Sequence, residues 1–127
     1  MKLLLIDDER DFIETMEKRF KFRKIDVTAA GSGAQALEIL GREEFDVAIL
    51  DVRMPGMDGL DTLKEIKKRH PLMEVIMLTG HGSVESGARG MSLGAYDYVL
   101  KPVDFSVLLD KVEMAYERKL LNVAKNA

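Results

Sequence analysis

The sequence predicts an α/β domain in which a parallel sheet is covered by helices on both faces. Three observations carry this. Five short apolar runs alternate with five stretches of helical periodicity. The runs are mostly continuous rather than alternating, which suits strands buried on both faces. No linker, repeat, low-complexity tract or charge block interrupts the series, and strand–helix alternation of this kind builds a sheet through crossover helices.

The first run, Leu3 to Ile6, is closed by Asp7 and Asp8. Phe12, Ile13, Met16 and Phe20 then recur at helical spacing with charges between them, which makes an amphipathic helix. Ile25 to Ala30 reads as a second strand, weakened by Asp26 and Thr28. Ser32 stands three residues before Gln35, a capping box that opens a helix with Ala34, Leu37, Ile39 and Leu40. Phe45 to Leu50 is the most convincing strand, and Asp51 ends it. The turn Met54-Pro55-Gly56-Met57-Asp58-Gly59 leads into a helix with Leu60, Leu63 and Ile66, which His70-Pro71 stops.

Val75 to Leu78 is the fourth strand and ends at Thr79-Gly80. Ser83 can cap a fourth helix carrying Val84, Ala88 and Met91, with Gly94 as its C-terminal cap. Two glycines lie inside that helix, Gly87 and Gly90, and each costs about 1 kcal/mol relative to alanine. Drift at exposed positions is the bland explanation, and a weakly formed helix that shifts easily is the functional one. Tyr96 to Leu100 is the fifth strand, followed by Lys101-Pro102. Asp104 caps a last helix with Phe105, Leu108, Leu109, Val112 and Tyr116 on one face. Residues 1–121 are expected to form the domain, and 122–127 a tail or the start of a linker.

Composition narrows the function classes. A chain of 127 residues is long enough for a real core. The net charge of -3 gives no footprint for nucleic acid, which calls for a basic stripe. With no cysteine, disulfides and thiolate metal sites are excluded and a reducing compartment suits the chain. No stretch approaches the roughly 20 apolar residues of a membrane span, and the N-terminal apolar run is too short for a signal peptide. A cytoplasmic domain without direct nucleic-acid or membrane contact is the expectation.

The strand endings carry the chemistry. Parallel strands bring Asp7, Asp8, Asp51, Thr79 and Lys101 to one edge of the sheet, where ligands bind in folds of this class. Each aspartate alone is more often a helix cap. Together they are three carboxylates that repel unless a proton or a cation intervenes. Neither histidine ends a strand, so the donors are all oxygen, which favours a hard ion and, in a small open site, Mg²⁺ over Ca²⁺. A carboxylate beside such an ion, a lysine and a hydroxyl can act as nucleophile toward a phosphoryl group. Lys101 and backbone N–H groups near Val52 and Gly80 are candidates for neutralising the transferred charge. A side chain at Gly80 would crowd that group.

With these residues in place, the chain resembles the receiver domain of a two-component response regulator. The matching stretches are Ile6-Asp7-Asp8-Glu9, Leu50 to Gly59, Leu78-Thr79-Gly80 and Gly94 to Pro102. The wording Thr79-Gly80-His81-Gly82-Ser83 and Gly94-Ala95-Tyr96-Asp97-Tyr98 is similar to receivers of the nitrogen-regulation and dicarboxylate-transport type. The ATPase and DNA-binding parts of those proteins are not carried over.

The resemblance implies a flavodoxin-like, doubly wound five-stranded sheet of order 2-1-3-4-5. It implies that a sensor histidine kinase phosphorylates Asp51. Asp7, Asp51 and the carbonyl of Arg53 would hold Mg²⁺, with Asp8 acting mainly through water. Lys101 would pair with the phosphate across a cis bond to Pro102. Thr79 and Tyr98 would act as the switch, and Arg53 and His81 would flank the pocket. The face of helix four, strand five and helix five would then bind an output domain or protein, or a second copy. By this resemblance it would be a signalling domain, not an enzyme, and would catalyse only its own phosphorylation and dephosphorylation. The alternatives are a Mg²⁺-dependent aspartyl-phosphate phosphatase and an interaction module that accepts no phosphate. The first usually carries an aspartate where Arg53 stands, and the intact polar set argues against the second.

Overall fold

A computed structural model describes residues 1–53, 58–80 and 84–126. Its elements are β1 (Lys2–Ile6), α1 (Arg10–Phe22), β2 (Asp26–Ala30), α2 (Gly33–Leu40), β3 (Val47–Asp51), α3 (Gly59–Arg69), β4 (Glu74–Thr79), α4 (Val84–Ser92), β5 (Asp97–Leu100) and α5 (Phe105–Lys125). The strands form one parallel sheet of order β2-β1-β3-β4-β5. This is the flavodoxin-like doubly wound arrangement that the resemblance implied.

Alternation along each strand divides the core in two, because successive side chains point to opposite faces. Leu4, Ile6, Ala48, Leu50, Val75 and Met77 meet α2 and α3 through Ala36, Ile39, Leu40, Leu60, Leu63 and Ile66. Leu3, Leu5, Val47, Ile49, Ile76 and Leu78 meet α1 and α5 through Met16, Phe20, Leu108, Leu109 and Val112. The central strands β1, β3 and β4 are buried on both faces, which is why their sequences read as unbroken apolar runs.

Local signals set the helix starts. Ser32 Oγ accepts the Gln35 N–H at 3.1 Å. Gln35 reaches back to the N–H of Gly31, one residue before the cap, at 2.6 Å. The Asp104 carboxylate accepts from Ser106 and Val107 and opens α5. Gly94 ends the α4 segment at φ +102°, a conformation that glycine adopts without strain. The proposed cap Ser83, the flanking His81 and residues 54–57 of the turn lie outside the described residues.

Helix α4 departs from the expectation. Ala88 and Met91, read as its apolar positions, are exposed, whereas Gly87 and Gly90 are buried. A Cβ on Gly90 would lie 2.0 and 2.1 Å from the end of the Met77 side chain, and one on Gly87 would touch the Tyr98 ring at 3.5 Å. Drift at exposed positions therefore does not explain these glycines. Gly90 lets the helix backbone approach Met77 of β4 closely, a use of glycine that leaves no hydrophobic signal. The Tyr98 contact is an ordinary one, so Gly87→Ala is expected to stabilise the fold by about 0.5–1 kcal/mol through helix propensity. A urea melt checks this, and a destabilised variant would show that the closeness to Tyr98 matters more.

At the other end of the sheet, α5 is fastened by charge. Lys119 pairs with Asp46, whose pKa is lowered because that bond and the N–H of Lys2 outweigh the opposing effect of burial. Arg118 Nε lies 3.3 Å from Glu74, and Lys67 approaches the same buried carboxylate at 3.6 Å. Helix α5 runs without a break past Leu121 to Lys125.

Candidate functional site

The register explains how four strand endings converge. Ile6 stands beside Leu50, Asp51 beside Leu78, and Thr79 beside Leu100. Asp7, Asp51, Thr79 and Lys101 are therefore neighbours at the carboxyl edge. Asp7 is fully buried, Asp51 nearly so, and Asp8 is exposed at the rim. One oxygen from each of these three carboxylates lies within 4.8 Å of the others.

The two buried aspartates are held alike. Asp7 Oδ1 accepts the N–H of Glu9 at 2.9 Å, and Asp51 Oδ1 accepts the N–H of Arg53 at 3.1 Å. Each is a local turn in which a carboxylate bonds its own backbone two residues on. That leaves both Oδ2 atoms facing Lys101, whose Nζ lies 3.3 Å from Asp7 and 3.4 Å from Asp51. The Lys101–Pro102 peptide bond is cis.

Burial pushes the Asp7 carboxyl up to about 6 from an ordinary 3.8. The Glu9 N–H opposes this, the Asp51 charge adds to it, and Lys101 relieves it only in part. Lys101 shifts the other way. Burial disfavours its ammonium, but the hydrogen bond to Glu9 and the charges of Asp7 and Asp51 prevail and raise its pKa. A centre that makes one acid hard to ionise and one ammonium hard to deprotonate is short of positive charge.

Other details refine the expected set. The Val52 N–H donates to the Leu78 carbonyl at 3.1 Å and is not available to a ligand. A Cβ on Gly80 would meet nothing within 4 Å, so the protein's own packing does not require glycine there. Thr79 Oγ1 is buried and has no hydrogen-bond partner among the described residues. Tyr98, 37% exposed, lies outside against α4. The Arg53 side chain is exposed.

Glu9 and Phe12 were not among the expected site residues. Glu9 Oε1 makes the shortest contact to Lys101, 3.0 Å, and the ammonium sits 5.1 Å from the centre of the Phe12 ring. The only hint in the sequence was that Glu9 directly follows the acidic pair. Phe12 carried none, since it fits the apolar face of α1 equally well.

A doubly wound sheet with an acidic crevice at the carboxyl ends of its strands, a lysine reaching into it and a buried threonine hydroxyl without a partner among the described residues defines the class of α/β domain to which this chain belongs. The match to known proteins agrees with it: residues 3–113 fit the model of the response regulator receiver domain, and the chain belongs to that family. It is a receiver domain of a two-component response regulator.

Among curated relatives, it is 38% identical over 114 residues to the response regulator protein PilR of Pseudomonas aeruginosa, covering 90% of this chain and 26% of that one. It is 37% identical over 111 residues to the DNA-binding transcriptional regulator NtrC of Escherichia coli, covering 87% and 24%. This chain thus spans about a quarter of the length of these relatives. Among solved structures, a response regulator receiver domain protein from Clostridium thermocellum superposes with TM-score 0.90 at 37% identity, covering 94% of this chain and 97% of that one. NtrX from Brucella abortus gives 0.92 at 30% identity, covering 98% and 28%.

Proposed function

We propose that this receiver domain accepts a phosphoryl group on Asp51 from a sensor histidine kinase, with Mg²⁺ bound, and passes the change to a partner through α4, β5 and α5. The observation that carries this is the pairing of a nearly buried Asp51 with Asp7, Asp8 and Lys101. All the donors are oxygen, and the raised Asp7 pKa marks a deficit of positive charge that a small hard cation would relieve. Asp7, Asp51 and the Arg53 carbonyl would hold the ion, with Asp8 reaching it through water. When bound, the ion would offset charge on the phosphoryl oxygens.

The remaining steps belong to the chain itself. An Asp51 oxygen attacks phosphorus, the bond to the kinase histidine breaks, and the nitrogen keeps the electron pair. Lys101 leaves Asp7 and Glu9 for a phosphoryl oxygen. Thr79, whose hydroxyl has no partner among the described residues, donates to another. The Tyr98 ring now rests on α4 at Gly87, and its inward movement would relax that contact. The surface of α4, β5 and α5 includes exposed Tyr98, Leu100 and Val107. In this reading it engages an output domain or protein, or a second copy, once Asp51 carries the phosphate. In this reading the domain spans 1–121, and 122–127 is a C-terminal tail or the start of a linker. The compartment is the cytoplasm, and nucleic acid and membrane are not direct partners. Among the described residues no helix is long and apolar enough to cross a membrane.

Incubation with Mg²⁺ and acetyl phosphate, followed by intact mass, tests the reading. One phosphoryl adduct is expected, and Asp51→Asn should abolish it. No adduct on the wild-type chain would sink the proposal in favour of an interaction module. Steady turnover of many phosphoesters would instead favour a phosphatase.

A further inference from the structure

Helices α1 and α5 lie side by side on one face of the sheet, with Phe20 and Phe105 in ring contact between them. The C-terminal end of α1 and the outer stripe of α5 are opposite in charge. The end of α1 carries exposed Lys18, Arg19, Arg23 and Lys24, and no carboxylate pairs with any of them among the described residues. The guanidinium groups of Arg19 and Arg23 stack over the Phe105 ring at 5.5 and 5.9 Å instead. In their midst Phe22 is 85% exposed, beside a shallow cleft of about 300 Å³ lined by Lys18, Arg19, Phe22, Arg23 and Phe105. An aromatic side chain so open to water, bordered by Lys18, Arg19 and Arg23, buries almost none of itself in this fold.

The outer stripe of α5 has the complementary make-up. Asp110, Glu113 and Glu117 are exposed and have no ion-pair partner among the described residues. Between and beyond them stand Met114 and Leu121, 57% and 64% exposed. Spacings of three and four residues put these side chains along one strip of the helix. The chain thus carries a basic apolar patch and an acidic apolar strip on adjacent helices, and the two sets do not pair with each other within the molecule.

From this we infer that α1 and α5 form a self-complementary interface for a second copy of the chain, related by a two-fold axis. In such a dimer each contact occurs twice, α1 of one protomer on α5 of its partner and the reverse. The partner is a second copy because both halves of the match, opposite in sign and each with its own apolar anchor, are present on one surface. Association is modest and sensitive to salt, since the charges are exposed and screened. It does not use Asp51, and it differs from the α4, β5 and α5 face of the proposed function.

Sedimentation velocity on the full chain, from micromolar to near-millimolar concentration and at low and high salt, reads the interface. Wild type is expected to dimerise, more weakly by about tenfold at high salt. Lys18→Glu, Arg23→Glu and Lys24→Glu together make both patches acidic, and Glu113→Lys with Glu117→Lys makes both basic. Each variant alone is expected to be monomeric, and an equimolar mixture of the two is expected to dimerise again. Phe22→Ser, which leaves every charge in place, should also shift wild type toward monomer. A wild type that stays monomeric throughout overturns the inference. So does a dimer that survives both charge reversals, or one that Tyr98 and Leu100 substitutions alone disrupt. Loss of acetyl phosphate labelling in Asp51→Asn has no bearing on these readings, so the two proposals fail separately.

Discussion

Gly59→Ala is expected to cost the fold about 3 kcal/mol, at the upper end of the range for overpacking. Gly59 is the first residue of α3, and its N–H donates to the Val52 carbonyl at 3.2 Å. A Cβ there would lie 2.5 Å from Val52 Cα and 2.6 Å from the Asp51 and Val52 carbonyl oxygens. These are backbone atoms, so no side-chain rotation relieves the clash. Either α3 is displaced or the exit of β3 is, and Asp51 sits at that exit. The loss should therefore appear twice, as a lower midpoint in urea and as slower acetyl phosphate labelling. Unchanged stability would show that the segment before α3 absorbs the methyl group freely.

Asp7→Asn is expected to act in the opposite direction and to stabilise the metal-free protein at neutral pH by roughly 1–3 kcal/mol. The sign follows from the proton. Native Asp7 titrates at about 6 and an ordinary aspartate at 3.8, so between these values the folded state binds the proton more tightly than the unfolded one. Its contribution is greatest below the lower value and is lost as pH rises through the upper one. Above that, the wild-type fold carries a buried charge beside Asp51 that burial disfavours. Asparagine removes the charge and can still accept the Glu9 N–H, although Lys101 loses one partner. Urea melts with magnesium chelated should show the gain at neutral pH and little of it near about pH 4. Millimolar Mg²⁺ should stabilise wild type, since a ligand that binds only the folded state shifts the equilibrium, and should leave the variant unmoved. A variant weaker than wild type at neutral pH would mean that the lysine contact outweighs the burial of charge.

What could be read from the sequence, and what could not, follows from how far each signal travels along the chain. The three central strands were legible because burial on both faces leaves an unbroken apolar run, and β2 and β5, only partly buried, from their place in the strand–helix alternation. Asp7, Asp51, Thr79 and Lys101 were legible as a group because parallel pairing aligns strand ends whatever the separation in sequence. The buried face of α4 was not, because it is lined by Gly87 and Gly90, which have no side chain to carry an apolar signal. Nor were Arg118 and Lys119, whose partners Glu74 and Asp46 are remote in sequence and carry no shared periodicity with them. The occupied N–H of Val52 depended on the bonding of β3 to β4 continuing one residue past Asp51, to the Leu78 carbonyl.

Those two pairs at the base of the sheet have a mechanical meaning. Helix α5 has 21 residues and so is about 30 Å long, with Phe105 packed near one end and Arg118 and Lys119 bound further along. A rod pinned at two separated points cannot swivel on its mounting. It works as a lever arm, and a tilt of a few degrees in its seat would sweep the far tip through a few ångströms. Releasing the far pin, by Arg118→Ala together with Lys119→Ala, would leave that end of the helix held by packing alone.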